Sequence, residues 1–349
     1  MASPSPKPLL RAFAGGPMSP PPWWLMRQAG RYLPEYRQVR SRAPDFVELC
    51  LTPALATELT LQPIRRFGMD AAILFSDILL LPHALGQGLA YRDGEGPVLE
   101  AVVDNADAAR LNPRGALARL DPVLEAVRRV RSALGPATAL IGFAGAPWTV
   151  ATYMVEGGSS RDFRSVKGWA YRDPAGFGAL IEMLTETTTE FLAAQIAAGA
   201  EAVQLFDTWA GVLSETEFAR WVIDPATTIV ARLKDRHPGC PVIGFPRGAG
   251  ALYERYAIET GVDAVGLDTS VPLEFARARL GPRAVVQGNL DPVALLVGGA
   301  ALDRAVSRLR QSLDGVRWVF NLGHGVLTET PPDHVAALAR QLSAPLEPG

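Results

Sequence analysis

Short, continuously apolar runs recur along the whole chain, and each is followed by a stretch with helical spacing. This alternation is typical of a parallel sheet whose strands are joined by crossover helices. Runs that are apolar throughout, rather than at every second position, indicate strands covered on both faces. Eight strands are predicted, at residues 22–26, 71–75, 139–143, 202–206, 242–245, 264–267, 284–287 and 318–321.

The segments between these runs predict the helices, at residues 53–67, 116–134, 174–198, 215–236, 249–260, 272–280 and 292–313. Three of them begin with a capping side chain followed by proline, at Thr52-Pro53, Asp173-Pro174 and Asp291-Pro292. Eight strand–helix repeats favour an α/β fold of the (β/α)8 TIM-barrel type over a doubly wound sheet, and 349 residues suit such a barrel. We expect one barrel domain over residues 9–345, preceded by a flexible Ser/Pro tail over residues 1–8.

Charge and cysteine content limit the classes of partner. The 34 Lys and Arg residues nearly balance 36 Asp and Glu residues, which gives a formal net charge of -2. Such a chain has no overall field to attract nucleic acid or an anionic membrane, so neither is an expected partner. Two cysteines, Cys50 and Cys240, without metal-type spacing indicate a reduced, cytoplasmic protein without disulfides. Neither a signal peptide nor a membrane anchor is expected, because Arg11 interrupts the apolar stretch near the N-terminus.

Chemistry in a (β/α)8 barrel lies at the carboxyl ends of the strands, so the residues after each run are the candidates. In chain order they are Arg27 and Arg31, Ser76-Asp77, Gly145-Ala146-Pro147, Asp207-Thr208, Arg247, Asp268, Asn289 and Gly323-His324-Gly325. The mouth of the barrel would combine cations, carboxylates and one histidine.

The arginines after the first run suit an anionic ligand. Five lie between residues 27 and 42, namely Arg27, Arg31, Arg37, Arg40 and Arg42. Planar guanidinium groups bind carboxylate or phosphate in a bidentate manner. The alternative is a solvated loop with ion pairs inside the chain, for example to Glu35.

Three further candidates also have ordinary structural interpretations. Asp77 could cap residues 78–81, Tyr153 could be a buried core tyrosine, and His324 could be a structural histidine. The glycines beside His324 would let the backbone approach a ligand closely. Residues 246–250 could form an anion-binding nest, although this signal is weak.

Metal and nucleotide sites are not expected. The other histidines, His83, His237 and His334, show no metal-ligand spacing with Cys or carboxylate residues. The sequence has neither a Walker A motif nor a strand-linked G-x-G-x-x-G motif.

Four segments at these positions resemble the uroporphyrinogen decarboxylase family. They are WLMRQAGRYLPEYR at residues 24–37, FSDIL at 75–79, GFAGAPWTVATY at 142–153 and NLGHG at 321–325. The similarity extends from about residue 8 to about residue 340. It implies removal of the acetate carboxyl groups of uroporphyrinogen III, which gives coproporphyrinogen III and CO2 in haem biosynthesis, without a cofactor or metal. It also implies a homodimer with facing clefts.

The resemblance implies a tetrapyrrole cleft lined by Arg27, Arg31, Asp77, Tyr153, Thr208 and His324. Asp77 would accept hydrogen bonds from the pyrrole N–H groups and oppose the positive charge that grows on the ring. The two arginines and His324 would bind the substrate's acetate and propionate groups. Thr208 stands where many relatives have serine; the hydroxyl is kept, and the added methyl would alter how a propionate packs.

The proton donor and two rival functions remain open at the level of sequence. The proton that starts the reaction could come from Arg27, from Tyr153 or from a held water. A corrinoid-linked methyltransferase of the same superfamily would need zinc-binding thiolate and imidazole groups. A tetrapyrrole carrier without catalysis would keep the cleft but not the turnover.

Overall fold

A curled parallel sheet of seven strands lies at the centre of the molecule, and helices cover its outer face. The computed structural model describes residues 7–92, 94 and 96–344. The strands are β1 (Ala71–Ile73), β2 (Leu89–Arg92), β3 (Gly96–Leu99), β4 (Ala139–Gly145), β5 (Ala202–Asp207), β6 (Val242–Pro246), β7 (Ala264–Gly266), β8 (Val285–Gln287) and β9 (Trp318–Val319). The sheet has the order β1-β4-β5-β6-β7-β8-β9, with parallel pairing throughout.

The α-helices lie between these strands and before and after the sheet. They are α1 (Pro8–Ala14), α2 (Pro34–Arg40), α3 (Phe46–Leu51), α4 (Pro53–Phe67), α5 (Leu80–Ala84), α6 (Asn105–Ala108), α7 (Ala116–Arg119), α8 (Asp121–Ala133), α9 (Pro147–Glu156), α10 (Arg164–Arg172), α11 (Pro174–Ala198), α12 (Glu215–Phe218), α13 (Asp224–Arg236), α14 (Leu252–Thr260), α15 (Leu273–Phe275), α16 (Pro292–Val297), α17 (Gly299–Ser312) and α18 (Pro332–Ser343). None of the helices in the described ranges is long and apolar enough to cross a membrane.

Seven of the eight predicted strands are confirmed, but the first, at residues 22–26, is wrong as a regular strand. Within the described residues it forms an isolated parallel bridge between Trp23 and Phe320. Asp70 N–H donates to Trp23 O at 3.0 Å, and Phe320 N–H donates to Pro22 O at 2.8 Å. The prolines at the start of this segment lack the N–H groups that a longer ladder requires.

The side chains that point to the inside of the sheet form a core of their own. This inner core comprises Leu9, Ala12, Trp24, Met26, Ala71, Ile73, Ala139, Ile141, Ala202, Ile243, Phe245, Ala264, Val285 and Val319. Strand residues two positions apart contribute to it, as expected when alternate side chains share one face. Leu9 and Ala12 come from α1, so this helix packs against the amino ends of the strands. A pair between Lys7 Nζ and Glu201 Oε2, 2.5 Å apart, lies next to the start of α1.

The helix predictions are confirmed in place, with breaks that have local causes. The bounds of α4 and α11 agree with the prediction, and Asp173 and Asp291 cap their helices by accepting N–H groups of Gly176 and Val293. The predicted Thr52 cap is wrong, because Thr52 also ends α3 and donates its hydroxyl to Glu48 O at 2.8 Å.

Four predicted helices are interrupted. Residues 116–134 form α7 and α8, and a π-helical turn, Ala219–Ile223, separates α12 from α13. The predicted helix at 272–280 is α15 followed by a second π-helical turn, Ala276–Leu280. Residues 292–313 divide into α16 and α17 at Gly298, whose φ is +69°. A Cβ there would lie 2.5 Å from the His334 ring, so only glycine fits this break.

An antiparallel hairpin, β2 and β3, follows α5 and has no counterpart among the predicted elements. Its register pairs Leu89 with Leu99 and Arg92 with Gly96. Val98 bridges to Gly158, and Leu99 N–H donates to Gly157 O at 3.0 Å, so the hairpin is joined to the end of α9. The hairpin therefore adds a wall beside the carboxyl end of β1.

The predicted domain bounds extend slightly beyond the described residues. Residues 1–6 of the predicted tail, and residue 345 of the predicted barrel domain, lie outside the described ranges. Within these ranges, α1 begins at Pro8.

Candidate active site

Four of the predicted site residues come together beyond the carboxyl ends of the strands. The charge of Arg27 lowers the pKa values of both Asp77 and His324, and the charge of Asp77 raises the pKa of Tyr153. They come from four separate parts of the chain, so it is the fold that brings them together. This cluster of Asp77, Arg27, Tyr153 and His324 is the candidate active site.

Asp77 is held in a tight turn four residues beyond β1. Its Oδ1 accepts the N–H of Leu79 at 2.8 Å, so the structural alternative of capping this turn is also correct. Burial raises the pKa of Asp77, and the Leu79 N–H, the Tyr91 hydroxyl and the Arg27 charge oppose this rise. The turn fixes one carboxylate oxygen and leaves Oδ2 for other donors.

Arg27 has an unusual backbone conformation with a φ of 60°, which non-glycine residues seldom adopt. Two hydrogen bonds of the preceding residue hold this turn: Met26 N–H donates to Asn321 Oδ1 at 3.0 Å, and Met26 O accepts the N–H of Val326 at 2.9 Å. A Cβ on Gly325 would lie 2.3 Å from Arg27 Cδ. Gly325 therefore provides the space that the Arg27 side chain occupies.

His324 is half-buried and lies close enough to two guanidinium groups to feel their charge. Burial and the charges of Arg27 and Arg247 lower the pKa of His324 to about 4. The ring is therefore neutral at pH 7, where it can donate one hydrogen bond but adds no positive charge.

Tyr153 lies on α9 and is partly buried. Burial and the Asp77 charge raise its pKa, whereas the Trp209 side chain, Arg27 and Arg247 act in the opposite direction. Its ring centroid is 6.1 Å from that of Trp209. Tyr153 is thus a weaker acid here than a tyrosine in water.

Arg31 and Thr208 are placed differently from the four clustered residues. Arg31 is exposed, and its carbonyl accepts a hydrogen bond from Arg37 Nη1 at 2.8 Å. The charge of Arg31 lowers the pKa of Tyr36. Thr208 directly follows β5 and is partly buried. Glu35, the predicted partner of the arginine loop, instead pairs with Arg66 at 3.0 Å.

One further strand-end candidate, Arg247, also lies at the cluster, and sequence reasoning missed two side chains there, Trp209 and Tyr91. Arg247 follows β6, and its charge lowers the pKa values of Tyr153 and His324. Trp209 contacts Tyr153, and Tyr91 on β2 lies beside Asp77. The Asp93-Gly94 dipeptide between two short apolar segments is the signal that could have predicted the hairpin and thus Tyr91.

The weak anion-nest signal at residues 246–250 is explained by an internal carboxylate. Gly248 N–H donates to Asp268 Oδ2 at 2.7 Å, and the Tyr253 hydroxyl donates to the same oxygen at 2.9 Å. Burial raises the pKa of Asp268, but these bonds and those from Ser270 outweigh it, so the net shift is downward. An ionised aspartate of the protein itself thus occupies this nest.

Asp207 ties β5 to α9 behind the cluster. It is buried, and it accepts the Thr149 hydroxyl at 2.5 Å. Burial raises the pKa of Asp207 to about 7, against the effect of Thr149. Thr149 Oγ1 in turn accepts the Trp209 N–H at 3.0 Å, which fixes the segment that carries Trp209.

Among the described residues, no three His, Cys, Asp or Glu side chains are grouped as in a metal site. Cys50 is buried in α3, and burial followed by the Asp77 charge raises its pKa. Cys240 precedes β6, at the amino end of the sheet and away from the cluster.

Comparison with known proteins agrees with the resemblance in the four sequence motifs. The family model described as uroporphyrinogen decarboxylase (URO-D) matches residues 4–343. The chain belongs to the uroporphyrinogen decarboxylase family. The uroporphyrinogen decarboxylase of Rhodospirillum rubrum is 58% identical over 339 residues, which cover 97% of each chain. That of Granulibacter bethesdensis is 56% identical and covers 95% of this chain and 97% of its own.

Solved structures with similar folds are more distant from this family member in sequence. A methyltransferase from Methanosarcina mazei has a TM-score of 0.80 at 20% identity, over 97% of this chain and 98% of its own. A B12-independent methionine synthase from Shewanella sp. W3-18-1 has a TM-score of 0.53 at 12% identity, over 82% and 86%. At these identities the likeness shows the fold alone.

Proposed function

We propose that this chain removes the acetate carboxyl groups of uroporphyrinogen III, which gives coproporphyrinogen III and CO2 in haem biosynthesis. Family membership supports the proposal. The observation that carries it is the meeting of the Asp77 carboxylate with Arg27, Tyr153 and His324 at one end of the sheet. The substrate is a polyacid that becomes cationic at its ring, and this cluster offers one anion among groups that bind carboxylates.

The reaction needs a place for the electrons of the broken carbon–carbon bond. Protonation of the pyrrole carbon next to the acetate-bearing carbon makes the ring an electron sink. The bond to the carboxylate then breaks, CO2 leaves, and the electron pair enters the ring. The exocyclic carbon takes a proton to become a methyl group, and the ring carbon releases the first proton. The substrate ring performs the role for which other decarboxylases use pyridoxal or thiamine.

Asp77 would stabilise the cationic ring. Its carboxylate is fixed at Oδ1 by the turn, so it needs little reorganisation when the ring gains charge. The Arg27 charge favours the ionised form despite burial. A preorganised group of this kind contributes about 3–4 kcal/mol to transition-state stabilisation in other enzymes.

The carboxylates of the substrate would be bound around this centre. Arg27 and Arg247 supply guanidinium groups, and His324 supplies a neutral donor. Arg31 and Thr208 would bind acetate or propionate groups at the periphery. Arg27, Tyr153 and a water molecule held beside them are the candidate donors of the first proton.

We also propose that the sheet is closed into a single (β/α)8 barrel domain over residues 9–345. In support, the segment with Trp23 contacts both edges of the sheet. Trp23 O accepts the N–H of Asp70, just before β1, and Trp24 N–H donates to Phe320 O, just after β9, at 3.3 Å. The family resemblance further supports a cytoplasmic location and a homodimer. Light scattering of the purified protein would test the homodimer.

The test of the proposed function is turnover by the purified protein without added cofactor. The protein is incubated anaerobically with uroporphyrinogen III, and the products are oxidised and separated by chromatography. We expect porphyrins with seven, six, five and four carboxyl groups and release of CO2. Substrate binding without these products would indicate a tetrapyrrole carrier, and stoichiometric zinc with methyl transfer to a thiol would indicate the methyltransferase.

A further inference from the structure

The β2–β3 hairpin brings a tyrosine to the candidate catalytic aspartate. Tyr91 lies on β2 opposite Pro97 of β3. Its ring centroid is 4.7 Å from that of Phe46, and Phe46 lies 5.9 Å from Phe75, two residues before Asp77. This row of rings fixes the Tyr91 side chain against the turn that carries Asp77.

The hydroxyl at the end of this side chain has no evident structural role. Tyr91 Oη is buried, and no group among the described residues forms a hydrogen bond of normal geometry with it. A buried hydroxyl without a hydrogen-bond partner is unfavourable, which indicates that it gains a partner in another state of the protein. Among the titratable groups that influence this hydroxyl, Asp77 has the largest effect, both through its charge and as a hydrogen-bond acceptor.

Asp77 still has an oxygen available for this donor. Oδ1 accepts the Leu79 N–H at 2.8 Å, whereas a carboxylate can accept bonds at both oxygens. We propose that Tyr91 is a positioning residue for Asp77, and that its hydroxyl donates to Oδ2 when the macrocycle is bound. The proposal rests on the proposed function, because it assigns to Tyr91 the task of keeping Asp77 ionised and aimed during decarboxylation.

The other charged and titratable groups that face Asp77 come from three further elements. Arg27 lies on the segment before α2 and favours the carboxylate. Cys50 on α3 and Tyr153 on α9 are uncharged at neutral pH, because burial raises the pKa of each. Removal of the Tyr91 hydroxyl alone therefore leaves these influences in place and raises the pKa of Asp77.

Tyr91→Phe tests the assignment through the pH profile. The rate requires ionised Asp77, so its acid limb reports the pKa of this group. The acid limb of kcat reports the pKa of Asp77 in the substrate complex, so we expect this limb to move up by about one pH unit in the variant. The value of kcat on the alkaline plateau should change much less. A matched control is Tyr36→Phe, since Tyr36 is also buried and its ring lies 5.7 Å from Phe75. The control should leave the acid limb unchanged.

A second measurement separates this proposal from the proposed function. The carboxyl carbon of Asp77 is followed by 13C NMR across the pH range in the wild type and in Tyr91→Phe, and Asp77→Asn assigns the signal. In the presence of coproporphyrinogen, an upward shift of the midpoint in Tyr91→Phe supports the positioning role. Equal midpoints in both proteins would overturn it, even if the wild type decarboxylates uroporphyrinogen. A shifted midpoint in a protein without turnover would overturn only the proposed function.

Discussion

Burial and guanidinium charge act on the same few side chains around Asp77, and their effects differ with the type of group. For Asp77, burial raises the pKa and Arg27 lowers it, so the two effects compete. For His324, burial and the charges of Arg27 and Arg247 all lower the pKa. The site therefore keeps its histidine neutral and leaves positive charge to the arginines.

The neutral state of His324 can be measured directly. Because its pKa is lowered to about 4, we expect its ring protons not to titrate in NMR spectra between pH 5.5 and pH 8. The signal is assigned by its loss in His324→Gln. A midpoint near the ordinary histidine value of about 6.5 would contradict the description of this site.

Among the elements, those with strong local signals were predictable from the sequence. The helices α4 and α11 have prolines in their first turn and long apolar faces, and their predicted bounds are confirmed. The β2–β3 hairpin was missed because its strands have four residues each and no long periodic pattern. Its stability depends on contacts with α3 and α9, which are distant in sequence.

Site residues, too, were predictable only where the signal is local in the sequence. Asp77 was predictable as a site residue because it follows an apolar strand. His324 was predictable because it lies between glycines in a recognisable motif. The left-handed backbone of Arg27 was not predictable, since it depends on hydrogen bonds to Asn321 and Val326 at the other end of the chain. The need for glycine at position 325 was not predictable either, because it depends on where the Arg27 side chain lies in the folded protein.

In the whole molecule, the two ends of the sheet have separate roles. The helix α1 packs Leu9 and Ala12 against the amino ends of the strands, where the contacts are apolar. The clustered titratable groups follow the carboxyl ends. This division agrees with barrel enzymes, in which stability resides at one end and chemistry at the other.

The stability of the molecule should depend on pH through Asp207. Burial raises the pKa of Asp207 to about 7, so between pH 4 and 7 the folded state binds a proton that the unfolded chain releases. Its stabilising contribution is complete below the unfolded pKa of about 4 and is lost as the pH rises through about 7.

Urea unfolding of the wild type and of Asp207→Asn at pH 5 and pH 8 measures this contribution. The amide keeps an acceptor for Thr149 but does not titrate. We expect the wild type to lose about 2.6 kcal/mol of unfolding free energy relative to the variant over this range, because the folded pKa lies about two pH units above the lower pH. Parallel pH dependence in the two proteins would show that Asp207 does not titrate as described.

If an ionised carboxylate at residue 77 drives decarboxylation, Asp77→Asn should abolish turnover without unfolding the protein. The anaerobic uroporphyrinogen assay is run on the wild type, on this variant and on Asp121→Asn, a control whose carboxylate is exposed on α8. We expect Asp77→Asn to keep its circular dichroism spectrum and to lose at least about 100-fold in kcat, while the control keeps full activity. A folded Asp77→Asn protein that releases CO2 at a rate near that of the wild type would show that the Asp77 carboxylate does not drive decarboxylation.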